Sequence, residues 1–71
     1  MRQMTAVRSS SIRGLVYDTD TNELEVHFHD GGAWAYQNVA PEMHAAFAGA
    51  KSVGKFFLQK FRPRRRGHKI K

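Results

Sequence analysis

No cysteine occurs in these 71 residues, so disulfide and thiolate–zinc scaffolds, the usual supports of very small folds, are excluded. That absence fits a reducing, cytoplasmic setting. No apolar run approaches the ~18 residues of a membrane span, and Met1–Ser10 is basic and polar, without the apolar core of a secretory signal. Acids are missing from a whole stretch of the chain: nothing after Glu42 is negatively charged. Catalytic equipment is sparse too. There is no glycine-rich phosphate loop, and the sequence places no base beside the serines at 9–11. The carboxylate-rich turn "DTDTNE" lacks the glycine and distal glutamate of a calcium loop. The expectation is a non-enzymatic binding protein with no cofactor, no small-molecule substrate and no membrane.

What is present is charge, unevenly spread. The first 42 residues carry three Arg against six acids, a net −3; the remainder carries nine Lys and Arg, a net +9; together these make the +6 of the chain. Such asymmetry points to an acidic partner. Aromatic residues are also plentiful, five Phe, one Trp and two Tyr, a large apolar load for a chain that can bury only roughly 60% of its unfolded surface.

Periodicity divides the chain in two. "ELEVHFH" alternates, with Leu24, Val26 and Phe28 on one face and Glu23, Glu25, His27 and His29 on the other, the pattern of a half-buried strand. "DTDTN" before it and "DGG" after it are turn-formers, and Asp30-Gly31-Gly32 supplies the positive φ of a tight hairpin. "AWAYQN" reads as a following strand with Trp34 and Tyr36 inward, and "SIRGLVYD" as a preceding one. In the latter Ile12 is out of phase with Leu15 and Tyr17, and a bulge at Gly14 restores it. Strands are expected near 11–17, 23–29 and 33–38. Pro41 and Glu42 then open a short helix that Gly49 ends. Ser52 caps a second helix reaching Arg62, where Pro63 stops it. Its apolar stripe is Val53, Phe56, Phe57 and Phe61, with Lys55 and Arg62 opposite and Lys60 at the edge. The expected fold is α+β, a three-stranded antiparallel meander covered on one face by two helices. Residues 1–10 form an arm, 11–62 the domain, and 63–71 a basic tail that is disordered until bound.

The stretches "SSSIRGLVYD", "LEVHF", "GGAWAYQNV" and "PEMHAAFAGAKSVGKFF" resemble the KTSC domain family, named for its occurrence at the C-terminus of some lysyl-tRNA synthetases. The likeness rests on a serine before the first strand (Ser10 or Ser11), Tyr17-Asp18, the Gly-Gly turn, the aromatic third strand, and Val39 with Pro41. Phe47, and Ser52 with Gly54, continue it. It covers roughly residues 9–62. The resemblance implies a small α+β domain found in bacteria and phages, with a link to RNA or translation. The chain departs from the family pattern at Leu58, where an Asn is usual, and in its ending "RPRRRGHKIK", where the family ends on an aromatic residue.

Candidate binding residues lie in that basic end: Lys55, Lys60, Arg62, Arg64, Arg65, Arg66, Lys69 and Lys71. A cluster of this kind neutralises phosphates with salt-sensitive, sequence-independent affinity, and neighbouring Arg residues grip phosphates or carboxylates bidentately. Nucleic acid is the expected partner, RNA ahead of DNA. The alternative is a phage-type regulator docking on an acidic surface of a host protein such as RNA polymerase, a reading that the acidic stretch Asp18–Glu25 favours. His27 and His29 share a strand face, but zinc needs a third and usually a fourth ligand, so no metal is expected. Trp34 and Tyr36 suit base stacking; in so small a domain the expectation is that they build the core.

Overall fold

A computed structural model describes all residues, 1–71. It has one antiparallel sheet covered on one face by helices, which is the α+β layering expected. The sheet has five strands, not three, in the spatial order β1-β2-β3-β4-β5. They are β1 (Arg2–Ala6), β2 (Ile12–Asp18), β3 (Glu23–Phe28), β4 (Ala33–Tyr36) and, after the helices, β5 (Gly67–Lys69). The residues expected to be an arm and a disordered tail thus supply the two edge strands. The tail does not float: the N–H groups of Ile70 and Lys71 donate to the carbonyl of Ala33 at 2.9 and 3.3 Å, which prolongs the β4–β5 pairing beyond Lys69.

Local chemistry explains the central hairpins. Gly31 has φ +96°, a region that L side chains avoid, and the Asp30 carboxylate accepts the Gly32 N–H at 2.8 Å. At the other turn Asn22 takes φ +59°, which Asn tolerates better than most residues. In β2 the register shifts between Ile12 and Gly14. That bulge places Ile12 on the same buried face as Leu15 and Tyr17, all three at most 2% exposed.

Helix α1 (Pro41–Ala48) starts on Pro41 with Glu42 in its first turn, and it closes at Gly49, whose N–H donates to Ala45 O while the following Ala50 N–H donates to Phe47 O. Helix α2 (Val53–Phe56) is capped by Ser52, whose side chain accepts the Lys55 N–H. Beyond it the chain departs from the uniform α-helix expected. Residues Phe57–Phe61 form a wider π turn, in which Arg62 N–H reaches Phe57 O, and Arg62–Arg64 tighten into a 3-10 turn. Pro63 has no N–H to donate back into the helix, so the geometry loosens and tightens around it.

The core joins Ile12, Leu15, Tyr17, Leu24, Val26 and Tyr36 of the sheet to Phe47, Val53, Phe57 and Phe61 of the helices. Phe61 packs edge-on against Tyr36 at 4.9 Å between ring centroids, and Phe57 against Phe28 at 5.6 Å. These contacts use the helical aromatics on Phe28 and Tyr36. Trp34, expected in the core, is instead 39% exposed.

Candidate nucleic-acid interface

The Tyr17 hydroxyl, buried beneath α1, donates to Val39 O at 2.6 Å and also lies 3.1 Å from Asn22 Oδ1. Val39 N–H in turn donates to Asn22 O at 2.9 Å. This knot fixes the segment between β4 and α1, where Asn38 adopts φ +58°. Gln37 and Asn38 therefore form one wall of a cleft of about 520 Å³ whose other walls carry Lys60, Arg64, Arg65 and Arg66. Arg65 is held by its guanidinium lying over the Phe61 ring, 4.7 Å from the centroid, a cation–π contact.

On one side this cleft opens into a second, of about 440 Å³, that shares Arg65 and Arg66 and adds Arg62, Tyr36 and Trp34. Gly67 makes that corner possible: a Cβ on it would sit 2.5 Å from the Tyr36 ring. On the other side the walls pass from Met43, Lys60 and Arg64 to Phe56, Gln59 and Lys60. They continue to Lys51, Ser52 and Lys55, and end among Arg8 and the serines 9–11. Each cleft shares lining residues with the next, so they adjoin in one row, a track running from the β4–β5 edge over the helical layer to the β1–β2 loop. Arg8, Lys51, Lys55, Lys60, Arg62, Arg64, Arg65 and Arg66 line it, and no acid does.

Six of the eight predicted binding residues are brought together there: Lys55, Lys60, Arg62, Arg64, Arg65 and Arg66. Lys69 and Lys71 belong to the β5 edge, Lys69 directly across from Trp34. Sequence reasoning missed Arg8 and Lys51. Arg8 precedes the triple serine and Lys51 precedes the capping Ser52, so both stand outside the helix-and-tail run that carries the other cations.

The acids lie elsewhere. The Met1 amine pairs with Asp18 and Asp20, and Arg2 with Glu23 and Glu25. Glu25 also accepts from His27 Nε2 at 2.8 Å. Burial pushes the Glu25 carboxyl up, but the bonds and charges of Arg2 and His27 outweigh burial and leave it below its ordinary value. The acidic stretch Asp18–Glu25 is thus largely paired within the chain. His29 is engaged separately, donating from Nε2 to Ser9 O at 2.9 Å.

Comparisons with known proteins agree with this architecture. The KTSC domain family matches residues 8–64. An uncharacterized protein of Stutzerimonas stutzeri (strain A1501) is 43% identical over 58 residues, 82% of each chain. The crystal structure of a KTSC domain protein from Yersinia pestis is similar with a TM-score of 0.90 at 32% identity, and the alignment covers 100% of both chains. The chain belongs to the KTSC domain family.

Proposed function

We propose that this protein is a non-enzymatic module that binds single-stranded nucleic acid, RNA in the first place, along the cationic track. The observation that carries the reading is the continuity of the clefts: eight cations line them and no acid interrupts them. A groove of this kind follows a sugar–phosphate backbone, and aromatic faces beside it stack bases. Trp34 is the aromatic in the right place, part-exposed beside Arg62, Arg65 and Arg66. The acidic stretch that favoured docking on a protein such as RNA polymerase is spent on Met1 and Arg2, which leaves that reading with less support.

Trp34 is the single tryptophan, so its fluorescence tests the proposal. Oligouridine of about ten nucleotides is expected to quench it saturably, while polyglutamate of equal charge leaves it unchanged. Equal binding of both polyanions without quenching would move the reading to an acidic protein partner.

A further inference from the structure

The far end of the track differs from the rest in being lined by hydroxyls. A cleft of about 380 Å³ gathers Arg8 and Ser9–Ser11 from the β1–β2 loop with Lys51 and Ser52 from the loop into α2 and Lys55 from α2 itself. The hydrogen bonds already present decide what these hydroxyls can still do. Ser9 Oγ accepts the N–H groups of Ser11 at 3.2 Å and Ile12 at 3.1 Å. Both of its lone pairs are occupied, so only its proton remains to offer. Ser11 Oγ lies 3.4 Å away. If Ser9 spends its proton on Ser11, the Ser11 proton is freed, and the pair still ends in a donor. Ser52 Oγ accepts the Lys55 N–H at 3.4 Å and retains its own proton to donate.

Every polar side chain of the cleft is therefore a cation or a hydroxyl with a proton to donate. Such a lining repels metal ions and suits a small anion bearing several acceptor oxygens. The floor is kept low by Gly54: a Cβ there would lie 3.5 Å from both Ser9 Oγ and Ser11 Oγ, in the space between α2 and the serines. The donors come from two separate segments, the β1–β2 loop and the start of α2. Three cations among them suit a dianionic phosphate better than a singly charged carboxylate.

We propose that Arg8, Ser9, Ser11, Lys51, Ser52 and Lys55 form a discrete site for a phosphomonoester. The group is either the terminal phosphate of a strand lying in the track or a free phosphorylated small molecule. The first source rests on the nucleic-acid reading above; the site itself does not.

The test is a titration with inorganic phosphate, followed by the amide resonances of Ser9, Ser11 and Gly54. These are expected to shift saturably in the wild type, and the shifts are expected to fall at least tenfold in affinity in a Lys51→Gln/Lys55→Gln variant. Both lysines are exposed, so the fold is retained in the variant. No shift, or an equal shift along the whole track, would overturn the site. Oligouridine with and without a terminal phosphate then separates the sources. Tighter binding of the phosphorylated strand, lost in the variant, assigns the site to strand ends. Equal binding of the two strands, with free phosphate still saturating the cleft, assigns it to a small phosphorylated molecule. Phosphate shifts without any Trp34 quenching by oligouridine would keep this site and sink the nucleic-acid reading.

Discussion

His44 and Tyr17 illustrate how much individual residues decide here. Their rings stack at 4.4 Å, and His44 Nε2 is buried with no hydrogen-bond partner. Burial lowers the pKa of His44, so the folded state favours the neutral ring more than the unfolded chain does. The stability this represents is fully present above the unfolded value, ordinarily near 6.5, and is lost as pH falls from there through the folded value. A wild-type melting temperature that declines between about pH 7 and pH 5 is therefore expected, with a shallower decline in His44→Phe, which keeps the stacked ring and removes the proton. Equal declines in both proteins would assign the pH dependence elsewhere. Trp34 is the instructive miss at this scale. Alternation puts it on the core face, and its cross-strand neighbour Val26 is indeed fully buried. Periodicity tells which way a side chain points, however, and not how far the helical cover extends. The position of that cover depends on where Phe57 and Phe61 dock.

At the scale of elements, the central strands, the bulge at Gly14 and both helix starts were legible because each carries a local rule: alternation, a glycine, a proline or a capping serine. The edge strands carry none. β1 and β5 are held chiefly by backbone bonds to β2 and β4, and sheet edges are commonly polar and basic, which guards them against further pairing. "RQMTA" and "GHK" therefore read as an arm and a tail. The π turn was hidden for another reason, since it arises from Pro63 acting on the residues before it. These findings reverse the expectation for the C-terminus. Ending the chain after Arg66 removes β5 and uncovers the edge of β4, including the bonds to Ala33. Each kcal/mol lost from a domain of this size lowers the melting temperature by about 4–8 °C, and a few net hydrogen bonds at about 0.5–1.5 kcal/mol each are at stake. Thermal unfolding followed by circular dichroism is expected to show a drop of that order or more. An unchanged midpoint would mean that β5 adds nothing to stability.

For the molecule as a whole, four of the six acids cluster where Met1 and Arg2 neutralise them, and the other two, Asp30 and Glu42, lie in the β3–β4 turn and the first turn of α1. The clefts of the helical layer are lined by cations alone. The sequence showed that the basic residues were segregated. It did not show that Arg8, distant along the chain, lies with Lys51 and Lys55, because that proximity comes from the loop before β2 packing against the start of α2. No helix is long and apolar enough to cross a membrane. The central claim is that the aligned cations act together on a phosphate backbone, and its most direct test is the salt dependence of oligouridine binding. For single strands the slope of log affinity against log salt is about −0.7 per phosphate neutralised. Comparing the wild type with Lys55→Gln/Lys60→Gln/Arg64→Gln, three exposed positions, the account predicts a steep wild-type slope made shallower by about 2 in the variant. Identical slopes in the two proteins, or no binding even at low salt, would contradict it.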